Sequence, residues 1–400
     1  MTLSTTADTR PLPRQPARGS LLSNPTVRSI VIQVVLVVAL VAFSWWIVDN
    51  TARNLTQNNI ASGFGFLESR SGFDISQTPI AYNSNATYAR AILVGIANTL
   101  IIAVAGIVMA TVVGFLVGIG RLSQNFLIRS LSTVYVEIFR NIPPLLVILF
   151  WYFAVLSILP QPRQALSLPF GAYISNRGLQ APSVAFDTLA WIAFAALVAG
   201  VVATVLMRVR ARRRQMATGE RTRLLLPALA LIIGLPAIVF LVTGMPATLT
   251  YPAKSTFNLV GGLQIKPEFL ALFLALSIYT AAFIAEIVRA GILSVSRGQN
   301  EAAAALGLKR SQALRLVVVP QAFRVIIPPL TSQYLNLTKN SSLGLAVGYP
   351  ELVAVGSTVL NQSGQSIEVV VIWMVVYLGI SLLVSVFMNW FNAKMALVER

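Results

Sequence analysis

Apolar residues run along this 400-residue chain in blocks too long and too unbroken for a water-soluble core. Charge-free stretches cover Ser29–Val48, Ala91–Gly120, Asn141–Pro162, Thr188–Met207, Leu224–Ala253, Phe269–Ala285 and Val369–Ala393. An eighth, Val325–Thr338, is broken by Lys339 and resumes as far as Gly348. A hydrocarbon core of ~30 Å takes about 20 residues of helix to cross. The pattern therefore predicts an all-α polytopic membrane protein with about eight transmembrane helices. The first block could also be read as a signal peptide, but it has no small-x-small cleavage site and runs into Trp45 and Trp46, as at a membrane interface. An uncleaved leading span over 29–48 is expected, preceded by a disordered tail over 1–28.

Charge placement supports the span count. Arginine and lysine gather in alternate loops: Arg10, Arg14, Arg18 and Arg28, then Arg121 and Arg129, then seven arginines between Arg208 and Arg223, then Arg289, Arg297, Lys309, Arg310, Arg315 and Arg324. The intervening loops are poorer in basic residues, and the one from Asp49 to Arg90 is long and polar. Under the positive-inside rule, eight spans place both termini in the cytoplasm.

Composition narrows the chemistry. Only 11% of residues are charged and the mean hydropathy is +0.75. The net charge of +17 is topogenic in this reading, because the basic residues flank spans and lack the interleaved aromatics of a nucleic-acid binder. No cysteine or histidine is present, which excludes disulfides, thiolate metal sites and a Ser-His-Asp triad. No metal is expected. No lysine sits in a GxxxxGK[ST] loop; Lys254 precedes Ser255, but Ala253 stands where glycine is required. The chain is not expected to bind ATP or to be an enzyme.

The loop after the sixth apolar block reads EAAAALGLKRSQALRLVVVP, Glu301–Pro320. Asn300 is a candidate N-cap that leaves Glu301 at the positive end of a helix dipole. The alanines propagate helix at low cost, Gly307 is suited to ending it in a left-handed turn, and Ser311 is suited to capping a second helix that Pro320 limits or kinks. On local physics alone this is either a connecting loop or a docking handle.

The spacing of Glu301-Ala302-Ala303, Gly307 and Val317-Val318-Val319-Pro320 resembles the EAA loop of type I ABC importer permeases. Val317 and Val319 stand where that family usually has Ile and Leu. YVEIFRNIPPLLVILFWY (Tyr135–Tyr152), AFIAEIVRAGILSVSRGQNEAAAALG (Ala282–Gly307), PQAFRVIIPPL (Pro320–Leu330) and NLTKNSSLGLAVGYPEL (Asn336–Leu352) are similar to polar amino-acid permeases. The extra leading span and an insertion at about 185–245 look like the general L-amino-acid permeases of the Aap/Bzt type. The resemblance implies a type I permease fold over 91–392, with a two-helix insertion and a coupling loop at about 297–320. It implies an ATPase subunit dimer carrying ATP and Mg, docked on Glu301, Ala302, Ala303, Gly307 and Pro320. It also implies a second related permease, a periplasmic amino-acid-binding protein, and surrounding lipid. The rival reading is a secondary transporter or channel that needs no ATPase.

Charged groups inside spans are functional by default. Lys339, with Asn336 beside it, either faces a substrate carboxylate or snorkels to an interface. The echo Glu137-x-x-Arg140 and Glu286-x-x-Arg289 places each pair on one helix face. Each is either a self-neutralised pair or a gate at the inner mouth of the pathway.

Overall fold

The computed structural model describes residues 25–57, 62–219, 224–256 and 258–395. Most of the expected tail over 1–28 lies outside the described residues; its last four residues open the first helix. That helix, α1 (Pro25–Gln57), is longer at both ends than the charge-free run suggested. Near its end Arg53 pairs with Asp49 at 2.5 Å. It forms a compact unit separate from the remainder, Gly65–Arg400, which is described next.

The expected polar loop before the second span is folded back on itself. Ser71 N–H donates to Ala86, Tyr88 N–H to Ser69, and the Tyr82 hydroxyl to the Phe73 carbonyl. It leads into α2 (Tyr88–Gly120), capped by the Thr87 side chain. α3 (Phe126–Asn141) begins where the Asn125 side chain accepts from Leu127 and Ile128 N–H. Pro143 and Pro144 then break the chain, and α4 (Pro144–Leu149), continued by a π turn over Phe150–Leu156, departs at 111° to α3. The third expected span is thus a bent pair, and the described chain has seven single spans, or eight if that pair is counted.

Short strands, absent from the all-α expectation, surround the insertion. β1 (Leu166–Leu168), β2 (Ala172–Ser175), β3 (Gly178–Ala181) and β4 (Ser183–Phe186) precede α5 (Ala190–Thr218). α6 (Leu225–Leu229), a π turn and α7 (Leu235–Val242) return across the membrane. The charge-free run to Ala253 overstated this helix, which stops at Val242. Beyond it come β5 (Ala247–Thr250), β6 (Ala253–Lys254), β7 (Leu259–Val260) and β8 (Leu263–Ile265). β4 pairs antiparallel with β5, and β3 with β8, in a sheet ordered β1-β2-β3-β8. The chain segments before α5 and after α7 are therefore zipped together by backbone hydrogen bonds. Gly178 makes the tight β2–β3 turn possible: its φ is +100°, and a Cβ there would fall 2.1 Å from the Ile265 carbonyl oxygen.

The bundle continues with α8 (Pro267–Leu293), α9 (Arg297–Ala305), α10 (Arg310–Ala313), α11 (Val319–Asn340), α12 (Leu352–Ser363) and α13 (Ser366–Met395). Its centre is the α2–α8 contact. Gly106, Ala110, Gly114 and Gly118 recur every four residues on α2, the small-residue spacing that lets membrane helices approach closely. A Cβ at Gly114 would lie 2.6 Å from Ile284 Cβ, and one at Gly118 2.7 Å from the Ala285 carbonyl oxygen. We expect Gly118→Leu to lower thermal stability in detergent by about 3 kcal/mol or more, whereas Gly65→Ala, which meets open space, leaves it unchanged.

Between the last two spans, buried Glu351 caps α12, accepting from Val353 and Ala354 N–H and from the Tyr377 hydroxyl at 3.1 Å. Burial nevertheless raises its carboxyl from 4.5 to about 7, the two backbone donors opposing. A carboxyl with a raised folded-state pKa binds its proton more tightly folded than unfolded. Its contribution is therefore most favourable below the unfolded value and declines as pH rises through about 7. Between pH 5 and 7, wild type should lose stability relative to Glu351→Gln; melting curves across that range check it.

Candidate functional site

The loop after α8 folds as a helical hairpin. α9 starts earlier than expected: Ser296 is its N-cap, so Asn300 lies inside the helix and Glu301 beyond its first turn. The dipole contribution expected for Glu301 is correspondingly weaker. The stop falls where expected. Gly307 has φ +73°, its N–H donates to Ala304 and the Leu308 N–H to Ala303, a Schellman ending. α10 is capped at Lys309, whose N–H donates to the Gln312 side chain at 2.9 Å; Ser311 lies inside the helix. Pro320 does not end or kink the second helix as expected. A π turn over Leu314–Val318 leads into α11 and places Pro320 at its second position, where a missing N–H costs least.

Ala303 is buried against the second helix, and Gln321 donates to Gln299 across the hairpin at 3.1 Å. Glu301, Ala302, Ala305, Leu306 and Gly307 are exposed, Leu306 by 80%. Among the described residues, the Glu301 carboxylate has no hydrogen-bond or ion-pair partner. The hairpin is thus braced on one side and presents a slim apolar face with a free carboxylate on the other.

A polar cavity of about 300 Å³ lies between α4, α8 and α11. Gln333, Asn336 and Asn340 line it from α11, Tyr279, Thr280 and Phe283 from α8, and Pro144 closes one side. Asn336 thus lines this space, whereas Lys339, in the last turn of α11, does not; both side chains are exposed. Sequence reasoning did not single out Gln333, Tyr279 or Thr280. The signal for Gln333 was its position one turn before Asn336 and two before Asn340, a polar row on an otherwise apolar helix.

Along α8, one turn beyond the cavity-lining Phe283, stands Glu286. Arg289 is bonded to it at 2.7 Å, as expected. The Glu137–Arg140 pair is not realised in that form: Glu137 faces Arg121 at 3.7 Å and Arg140 faces Glu286 at 3.9 Å. Arg121, at the end of α2, also bonds Glu286 directly and is only 11% exposed. The Arg140 guanidinium lies 5.8 Å from the centre of the Phe283 ring. Three arginines and two glutamates from α2, α3 and α8 therefore form one cross-helix network. Arg121 was read from the sequence as a topogenic charge only. No local spacing could reveal its role, because its partners are 16 and 165 residues away.

A helical membrane bundle with a polar cleft between its helices and a braced hairpin leading into one of the cleft-lining helices is the framework of a transport permease. The profile of the family described as binding-protein-dependent transport system inner membrane component matches residues 216–397. The general L-amino acid transport system permease protein AapQ of Rhizobium johnstonii is 60% identical over 381 residues, 95% of each chain. The putative amino-acid ABC transporter permease protein YhdX of Escherichia coli is 50% identical, covering 97% of this chain and 99% of its own. BztB of Rhodobacter capsulatus, a glutamate/glutamine/aspartate/asparagine transport system permease protein, is 40% identical, covering 93% and 95%. A solved amino acid ABC transporter with histidines aligns over 77% of this chain and 95% of its own at 18% identity, with a TM-score of 0.46. The chain belongs to the amino-acid ABC transporter permeases, as its motifs implied.

Proposed function

We propose that this chain is one membrane subunit of an ATP-driven importer of L-amino acids, with both termini cytoplasmic. A separate ATPase grips the hairpin, a second related permease completes the pathway, and a binding protein delivers substrate outside. The observation that carries the reading is the exposed face of α9, with an unpartnered carboxylate at Glu301, on a hairpin rigidly continued into the cavity-lining helix α11. Movement of α9 is transmitted along that rod because the π turn keeps it continuous past Pro320.

The cavity suits a broad amino-acid range. Its polar lining consists of neutral amides and hydroxyls, which donate and accept alike and impose no net charge on the solute. Its volume of about 300 Å³ is at the lower end of small-molecule sites. In this reading Asn336 contacts the passing zwitterion, Lys339 draws its carboxylate from the outer side, and the Glu286 network closes the inner side. Glutamate and aspartate relatives such as GltJ match over 74% of this chain at 26% identity, which is consistent with amino-acid cargo. Affinity purification in mild detergent tests the assembly: an ATPase and a second permease should co-purify. Amino-acid transport by the pure chain alone, driven by an ion gradient, would refute it.

A further inference from the structure

Helices α5 to α7 contribute no side chain to the polar cavity described above. From Trp191 to Met207 α5 is uncharged and rises roughly 24 Å at 1.5 Å per residue, most of a hydrocarbon core. Trp191 and Phe194 are exposed at one end, as in an aromatic belt. At the other end α5 does not stop. It continues as helix to Thr218, with arginines at 208, 210, 212, 213 and 214 and no acidic residue anywhere in the helix.

At that level a groove of about 350 Å³ opens between α5 and the start of α6. Met207, Leu224, Leu225 and Ala228 form its apolar walls, and Arg208 and Thr204 complete it from α5. Arg212 follows Arg208 by one turn, on the same helix face. Among the described residues neither guanidinium has an ion-pair or hydrogen-bond partner. Further along, α5 and the returning helix touch: a Cβ at Gly200 would fall 2.0 Å from the Leu231 carbonyl oxygen, so the groove lies beside a close helix contact.

We propose that this groove binds an anionic phospholipid, with Arg208 and Arg212 holding the phosphodiester and the apolar walls holding the upper acyl chain. An arginine fork matches phosphate oxygens, and basic pockets between membrane helices favour acidic headgroups. A soluble phosphate would satisfy the arginines but not Met207, Leu224, Leu225 and Ala228; a lipid satisfies both. That the groove faces the inner leaflet rests on the orientation proposed above, but the site itself does not.

The test is native mass spectrometry of the purified chain released from nanodiscs made of equal phosphatidylcholine and phosphatidylglycerol. Wild type should retain phosphatidylglycerol over phosphatidylcholine by roughly ten-fold. The double variant Arg208→Gln/Arg212→Gln should lose that preference, as should Ala228→Trp, which fills the groove with both arginines intact. Arg129→Gln, a basic residue on α3, should keep it. Retention without headgroup preference, an unchanged preference in both groove variants, or displacement by millimolar inorganic phosphate would overturn the proposal. Because binding is read on the isolated chain, failure of the importer reading would leave this result unaffected.

Discussion

Glu286→Gln is expected to cost on the order of 1–2 kcal/mol of stability and to reduce amino-acid uptake at least ten-fold. The reason is the company that Glu286 keeps. It binds Arg289 at 2.7 Å, bonds Arg121 directly, and faces Arg140 at 3.9 Å. Glutamine keeps the shape and removes the charge. Arg121, 11% exposed at the end of α2, then has only Glu137 at 3.7 Å, and Glu137 is itself more than half exposed. Removing one partner of this half-buried network leaves Arg121 short of a counter-charge where water screens it only in part. The double-mutant cycle with Arg121→Gln isolates this term. The two changes together should be less destabilising than the sum of the two alone. A single-variant cost below about 0.5 kcal/mol, or strict additivity in the cycle, would remove the network from the account.

The second large effect separates coupling from folding. Glu301→Arg in the reconstituted complex should reduce transport-stimulated ATP hydrolysis about ten-fold or more, the loss expected of one charge-assisted contact. The permease should melt unchanged, since the Glu301 side chain is exposed and has no partner among the described residues. Gly307→Val perturbs the same hairpin by another route. A Cβ at Gly307 meets nothing within 4 Å, but its φ of +73° is a conformation that β-branched residues avoid. It should loosen the turn between α9 and α10 and depress stimulated hydrolysis while the membrane bundle stays intact. ATPase rates paired with melting curves of each variant decide it. Parallel loss of stability and hydrolysis in Glu301→Arg would show that the residue supports the fold instead.

The errors of the sequence reading have identifiable physical origins. Asn300 and Ser311 are good capping residues in isolation, yet the helices begin at Arg297 and Arg310. Once α8 delivers the chain at Ser294, packing of Ala303 against the second helix sets the register, and cap preference is too weak to oppose it. Pro320 looked like a breaker because an α-helical turn cannot spare its N–H; the π turn before it removes the conflict. The strands around the insertion were missed because none exceeds four residues and their pairing joins positions such as Gln180 and Gln264, far apart in the chain.

The sequence by itself determined that this protein crosses a membrane, about how often, and where its Ala-rich hairpin turns. Those properties follow from apolar runs, charge alternation and a glycine, all of which act over one span or less. Only the tertiary structure decided which charges meet and what surrounds the polar cavity. Arg121 joins Glu286 through the close approach of α2 and α8 that Gly114 and Gly118 permit, and Gln333 and Thr280 line one cavity where Gly291 of α8 lets α11 pack closely. A contact between residues distant in the chain depends on the packing of whole helices, and no local pattern of residues encodes it.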